Sequence, residues 1–406
     1  MLISANARGK GSDASLTLSD SDGHTIIWSK SWSAEDASTV NLAQEISRSA
    51  SQAALCLTEA KGGKKRLVQP ALSIFMSGCV GIGDSEWSDA QLLAAFERVV
   101  RLAPEFPRGW EYLAIGRSVA AQSGSPAAIK GAREAISTAR KLNPRSGLAY
   151  LAETILNPED RAQVLARLDK GTELEPDNAL LQTTRADALQ TVGRLADSVK
   201  GAKRAVELDP LASFVRSNYI MALTYAGQFS AAKADIAEAR KKWPNDPEID
   251  LAEFSLQFRY GDPLAAEKLM PRVLHYSDAQ LVPYRKVVAA RIDPTPAKID
   301  DAINIFRSAP SGDPRARNRL LLALGLFGKV DDTYALLEES GFQRLVDPSI
   351  LFRPEFAPVR ADPRFMKVAA DLKLLSYWRS TGNWPDFCTS EQLAYDCKTE
   401  AAKYPG

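Results

Sequence analysis

The sequence predicts a mostly α-helical fold: a solenoid of helix–turn–helix repeats, with a small α/β unit before it and a capping tail after it. Three observations point there. Gly193, Gly227 and Gly261 recur at a step of 34 residues, and Pro176, Pro210 and Pro244 keep the same step, as do Ala205 and Ala239. A period of this length marks stacked helical hairpins, which bury a continuous core only by packing on their neighbours. Strand-like patterning is confined to residues 2–32. The last thirty residues gather Tyr377, Trp378, Trp384, Phe387 and Tyr395 with two cysteines, Cys388 and Cys397.

The elements follow in order. Leu2 to Arg8, Ser15 to Ser19 and Thr25 to Trp32 are short β-prone runs, and Ser21-Asp22-Gly23 is a hairpin signal between the last two. Leu16 and Leu18 alternate with Ser and Thr, as in a strand with one buried face. From Ala37 the pattern turns helical, with Val40, Ala43, Ile46, Ala50, Ala53 and Leu57 on one stripe. Residues 1–60 thus form a partial α/β unit of three strands and a helix. That is too little for an independent domain, so the strands either finish a sheet whose first half is absent or lean on the solenoid; the first is preferred. Lys61-Gly62-Gly63-Lys64-Lys65-Arg66 interrupts the pattern, and 61–69 is assigned as a solvated linker.

The solenoid is placed at 70–345. Leu72, Phe75, Met76 and Cys79 form one helical stripe, and Leu92, Phe96, Val99 and Leu102 another, ending at Pro104. The next helices are expected at Arg108–Ala121 and Ala127–Leu142, with a long turn through Gly124. The pair ending at Pro176 is short and broken at Asn157-Pro158, whereas the pairs ending at Pro210 and Pro244 are regular. Further helices are expected at Ala279–Arg291, Ala297–Arg307, Arg315–Phe327, Val330–Ser340 and Asp362–Leu374. Residues 346–406 form the capping segment.

Composition limits the function. The 406 residues are 45% hydrophobic and 25% charged, ordinary for a folded chain. With 51 basic and 50 acidic residues the formal charge is +1, so no basic excess exists to neutralise a phosphate backbone, and direct nucleic-acid contact is not expected. No apolar run approaches the roughly 18 residues that cross a bilayer. The opening MLISANARGKG does not read as a signal peptide. No Gly-x-x-x-x-Gly-Lys-Ser/Thr loop, Gly-x-Ser-x-Gly elbow or His-Glu-x-x-His helix occurs, so no catalytic residues, cofactor or enzyme activity are expected. His24 and His275 lie far in sequence from every cysteine, which argues against a metal site. The four cysteines leave two readings open: four thiols, or two disulfides within the pairs Cys56, Cys79 and Cys388, Cys397, the tail pair favoured because it sits in a loop-rich segment.

The regular units Asp177–Pro210 and Leu211–Pro244 resemble tetratricopeptide (TPR) repeats. Ala186, Gly193, Ala202, Ala205 and Pro210, then Tyr219, Gly227, Ala232, Ala239 and Pro244, stand where that family keeps small or helix-ending residues; Trp110, Leu113 and Ala114 match the start of such a unit. The resemblance implies a right-handed solenoid whose first helices line a concave groove for a protein or peptide partner. Groove positions would be Arg108, Tyr112 and Ile115, then Phe214, Asn218, Met221 and Tyr225, then Leu251, Ser255 and Arg259. Met221 and Leu251 are assigned instead to the core between repeats. The Lys and Asn pairs with which some family members clamp a C-terminal carboxylate are not in place.

Residues 2–57, above all Leu16-Thr17-Leu18-Ser19-Asp20 and Asp22-Gly23-His24-Thr25-Ile26-Ile27-Trp28-Ser29, resemble the second half of a TolB-like domain. Phe352-Arg353-Pro354, Arg360-Ala361-Asp362-Pro363-Arg364-Phe365 and Pro385-Asp386-Phe387-Cys388 are similar to the closing segment of the same proteins, the CadC-type membrane-anchored winged-helix transcriptional regulators. This chain lacks their DNA-binding domain, membrane span and first half of the α/β domain. The resemblance implies a periplasmic sensor or interaction region, bound to the membrane only through a missing N-terminal anchor, with its cysteines oxidised. The rival expectation is a free-standing cytoplasmic TPR adaptor; a third is a small-molecule binder or enzyme using the α/β unit.

Overall fold

The computed structural model describes residues 2–7, 13–20, 23–33, 42–61, 67–82, 87–158, 160–308, 314–339 and 347–405. Strands β1 (Leu2–Ala7), β2 (Ala14–Ser19) and β3 (Ile26–Trp32) form an antiparallel sheet in that order. Leu18 stands opposite Trp28, and a register shift follows at Ser19. Leu16 and Leu18 are buried while Thr17 between them is half-buried, the expected alternation. Gly23 turns the chain at φ +73°, and the Asp20 amide donates to the Thr25 carbonyl at 3.0 Å. The remainder of that turn signal (21–22), the helical start from Ala37 to 41 and the basic cluster 62–66 lie outside the described residues.

The chain divides into two compact units, the first comprising 1–181, 208–214 and 242–245, the second 182–207, 215–241 and 246–406. In the first, α1 (Leu42–Lys61) and α2 (Ala71–Gly81) pack against the sheet. One core runs from Leu16, Leu18 and Trp28 through Cys56 and Phe75 to Leu113 and Ala152. Phe75 meets Phe106 edge to face at 5.0 Å; burying a side chain of this size contributes roughly 1.5–3 kcal/mol. Leu67, in the expected linker, belongs to this core. Hairpins follow as α3 (Asp89–Leu102), α4 (Pro107–Ala120), α5 (Pro126–Leu142), α6 (Gly147–Leu156) and α7 (Arg161–Leu174). Local chemistry sets their starts. Ser88 and Gln91 make a capping box, Asp160 accepts the amides of Ala162 and Gln163, and proline opens α4 and α5.

Helices α8 (Ala179–Gln190), α9 (Leu195–Leu208), α10 (Ser213–Tyr225) and α11 (Phe229–Lys242) carry the 34-residue period. In the second unit Ala186, Ala202 and Ala222 form a small-residue core, with Gly201 set against Ala186. Gly193 and Gly227 turn the chain at φ +77° and +72°, a left-handed conformation that glycine adopts without strain. Gly261 keeps the period but not this conformation. It is crowded instead by Gln257, whose side-chain carbonyl accepts the Asp262 amide at 2.8 Å. Gly328 is the true equivalent of Gly193, at φ +65°.

After α12 (Pro247–Arg259) and α13 (Pro263–Leu274) come α14 (Asp278–Ile292), α15 (Pro296–Arg307), α16 (Pro314–Leu326) and α17 (Val330–Glu338), close to the expected spans. The helix expected over Asp362–Leu374 is a correction. After the short α18 (Ala357–Arg360), the chain forms α19 (Phe365–Asp371), breaks at Lys373 with φ +58°, and resumes as α20 (Leu374–Thr381). Lysine carries no turn signal, so the break could not be read from composition. The short α21 (Phe387–Ser390) and α22 (Cys397–Ala401) end the chain.

The closing segment covers the last hairpin, as a cap should: the Tyr334 hydroxyl donates to the Val359 carbonyl at 2.7 Å, and Phe356 lies on Gly325. It also does something a cap need not do. Phe352 and Pro385 lie on Gly193, Pro354 lies on Gly227, and the Trp378 indole donates to the Val192 carbonyl at 3.0 Å. The tail therefore runs back along the turns of the periodic hairpins.

Candidate functional site

The positions expected to line a groove fall into different environments. Arg108 and Tyr112 sit one turn apart on α4, in the first unit. Arg108 is surrounded by three carboxylates: Glu111 at 2.7 Å, Glu175 at 3.4 Å and Glu59 at 3.7 Å. Tyr112 donates to Glu59 at 2.7 Å and stacks on Phe96 at 5.0 Å. The outer oxygens are used as well. Glu111 accepts from the Asn143 amide group at 2.8 Å, and Glu175 accepts from the Gly147 backbone at 2.7 Å and Asn178 at 3.0 Å.

Burial raises the Glu59 carboxyl against the opposing pull of Arg108 and Tyr112. Burial also pushes the Tyr112 phenol well above its ordinary value, and the Glu59 charge adds to the effect. Desolvation disfavours the Arg108 cation, yet Glu111, Glu59 and Glu175 outweigh it and hold the guanidinium more firmly charged. Chemically this is a brace joining α1, α4 and the turns before α6 and α8, with its donors and acceptors turned on one another. Sequence reasoning singled out Arg108 and Tyr112 as groove positions rather than as parts of a brace, and did not single out Glu59, Glu111 or Glu175. The one available signal was positional, since Asn143 and Glu175 each stand just before a helix-ending proline.

Tyr225 and Arg259, 34 residues apart, belong to the second unit and are occupied by the closing segment. The Arg353 guanidinium lies 4.0 Å from the Tyr225 ring centre and that of Arg259 5.7 Å away. Arg259 donates to the Ser255 hydroxyl at 2.8 Å, and that hydroxyl is 3.2 Å from the Tyr225 hydroxyl. Buried Glu355 approaches Arg259 at 3.8 Å and accepts from Tyr260. Burial pushes the Tyr225 phenol up, but Arg353 and Arg259 overcome it and hold it below the ordinary value. Here the expected groove positions meet residues 353–355 of the same chain. Elsewhere Phe214 is 40% exposed, and Asn218 and Met221 are half-buried. Leu251, assigned to the core, is 39% exposed, which corrects that assignment.

The cysteines form two disulfides, Cys56–Cys79 and Cys388–Cys397, each with Cα atoms 5.8 Å apart. The first pins α1 to α2; the second ties α21 to α22. Among the described residues no cluster of His, Cys, Asp or Glu could hold a metal ion, and no helix is long and apolar enough to cross a membrane.

One open cavity of about 810 Å³ lies in the first unit, where α5, α6 and α7 diverge; Arg133, Arg140, Lys141 and Arg167 line it with Glu153 and Asp160. Charged side chains make up most of its lining, with apolar surface between them, and no expected groove residue lines it.

No protein-family model and no curated protein matches this chain. Among solved structures, it is similar to TTC0263, a thermophilic TPR protein in Thermus thermophilus (21% identity, 41% of this chain, 90% of that one, TM-score 0.34). It is also similar to yeast Tom70 (18% identity, 82% and 73%, TM-score 0.39) and to human IFIT1 in a dimer with m7Gppp-AAAA (15% identity, 72% and 76%, TM-score 0.41). The likeness extends to a TPR-like helical build and no further.

Proposed function

We propose that this chain is a non-enzymatic protein-interaction scaffold, and that it forms the extracytoplasmic interaction region of a bacterial membrane-anchored transcriptional regulator. The observation that carries the scaffold reading is the stack of helical hairpins. Where the closing segment does not cover them, the first helices of such hairpins leave large apolar groups exposed to a partner, as at Phe214 and Leu251. The compartment is supported by the two disulfides, since such bonds persist outside the reducing cytosol. The strand motif of residues 2–57 and the closing-segment motifs support the parent architecture.

Two measurements test this reading. The first replaces Phe214 and, separately, Leu251 by a photo-crosslinking residue in the native host. A discrete protein adduct at either position, lost when the other residues of that helix face are made acidic, supports the scaffold; failure of both positions to give a specific adduct overturns it. The second is alkylation and intact-mass analysis of protein isolated without reductant. Four blocked cysteines support the extracytoplasmic reading, and four alkylated thiols replace it with a free-standing cytoplasmic adaptor.

A further inference from the structure

We propose that the cavity between α5, α6 and α7 binds an extended acidic peptide segment of a partner protein, held by Arg133 and Lys141. This rests on the scaffold reading and names the chemistry recognised at one place on it.

The cavity has a structural origin in the sequence. The first helix of its hairpin, α6, has only 10 residues and stops at Asn157, whereas α10 and α12 have 13 each. The early stop leaves the space of about 810 Å³ between the second helices α5 and α7, within the range of pockets that hold a ligand. No groove position expected from the sequence lines it.

Its charge is unbalanced in a particular way. Both carboxylates are already engaged. Glu153 pairs with Arg140 and lies 4.0 Å from Arg167, while Asp160 accepts the amides of Ala162 and Gln163 at 2.9 and 3.1 Å. Arg167 also donates to the Asn157 carbonyl at 3.1 Å and Gln163 at 2.8 Å. Arg140 stacks on Tyr150 at 4.4 Å, and its Nε is buried without a hydrogen-bond partner. Arg133 and Lys141 are exposed and have no ion pair or hydrogen bond among the described residues. The uncompensated positive charge therefore belongs to these two residues.

Spacing then selects the ligand. Arg133, Ser137 and Lys141 follow one another at i, i+4 and i+8 on α5, so they form a stripe whose ends are about 12 Å apart. An extended peptide advances about 3.3 Å per residue, which puts carboxylates four residues apart at about 13 Å. Ile136 and Leu156 supply apolar wall for the residues between. A small inorganic anion meets only one end of this stripe.

The test uses the intact, disulfide-bonded chain and a fluorescein-labelled acetyl-Glu-Leu-Glu-Leu-Glu-amide, followed by anisotropy. Saturable binding is expected, weakened by salt and weakened at least about tenfold in R133E/K141E. Both side chains are exposed, so unchanged thermal unfolding of that variant and of R133Q/K141Q shows the fold is kept. The proposal is overturned by no saturation below about 1 mM, by equal affinity of wild type and variants, or by equal binding of the Lys-for-Glu peptide. Displacement of the peptide by inorganic phosphate at matching concentration also overturns it, since that marks a simple anion site. If the peptide fails while crosslinking at Phe214 or Leu251 still succeeds, this site falls and the scaffold reading stands.

Discussion

The Asp386 carboxylate accepts the backbone amide of Ala196 at 2.7 Å across 190 residues of sequence. Helix α9 begins at Leu195, and the residue before it is Arg194, whose side chain cannot cap a helix. The closing segment supplies the missing cap, and the Asp386 backbone amide is itself anchored to the Gly193 carbonyl at 3.0 Å. Asp386→Ala is expected to cost about 1 kcal/mol, and Asp386→Asn less, because the amide keeps an acceptor but loses the charge at the helix N-terminus. Thermal unfolding of both variants measures this, and equal stability of wild type and Asp386→Ala would show that the contact contributes nothing.

Two glycines with the same backbone conformation should respond differently to substitution. Gly193 and Gly328 lie at φ +77° and +65°. A Cβ on Gly193 would stand 2.7 Å from Pro385 and 2.8 Å from Phe352, whereas one on Gly328 would meet nothing within 4 Å. Gly328→Ala should cost about 1 kcal/mol of backbone strain. Gly193→Ala should cost clearly more and loosen the tail, read as faster proteolysis near Pro385. Equal costs would mean that the tail does not rest on this turn in solution.

These contrasts show what could be read from the residues. Periodicity exposed the hairpins because small residues must recur wherever two helices approach closely, as Ala186, Ala202 and Ala222 do. The turn at Gly328 has a local signal as well, since Leu326-Phe327-Gly328-Lys329-Val330 is similar to Ala226-Gly227-Gln228-Phe229. Three things were not visible. Gly261 sits in the period yet uses its missing side chain, not its freedom of φ, which spacing alone does not distinguish. Lys373 takes a left-handed conformation that nothing in its sequence announces. The aromatics of the tail were legible as apolar, but the surface they cover is decided by contacts nearly two hundred residues away, such as Trp378 with Val192. The carboxylates around Arg108 were hidden for the same reason: Glu59 and Glu175 lie far from it in sequence and ordinary in local pattern.

That cluster gives a pH prediction of definite sign. Burial, against Arg108 and Tyr112, raises the Glu59 carboxyl above its usual 4.5 in the folded chain. A carboxyl raised on folding contributes stability that is fully present below the unfolded value and is lost as pH climbs through the folded one. Wild type should therefore lose stability relative to Glu59→Gln as pH rises from about 4 through the elevated titration. Urea unfolding of both proteins between about pH 4 and 8 measures the difference. A difference that moves in favour of wild type with rising pH would mean that Arg108 and Tyr112 dominate over burial.

The two disulfides close loops of different length, with sequence separations of 23 for Cys56–Cys79 and 9 for Cys388–Cys397. On loop-closure entropy alone, their removal costs about 3.4 and about 2.6 kcal/mol respectively. Paired alanine substitutions avoid placing hydroxyls in the core, where Cys56 and Cys79 are fully buried. The C56A/C79A chain should then unfold at lower denaturant than the C388A/C397A chain. The tail bridge has one competing role. It closes the loop that carries Glu391, the ion-pair partner of Arg360, whose side chain is only 2% exposed. Releasing Glu391 would leave a buried cation without its ion pair, held by the Leu351 and Arg353 carbonyls at 2.6 and 2.8 Å and by the Phe387 ring. If the C388A/C397A chain proves the weaker of the two, placement of Glu391 rather than loop closure is what that bridge provides, and Glu391→Gln in the intact chain should reproduce most of the loss.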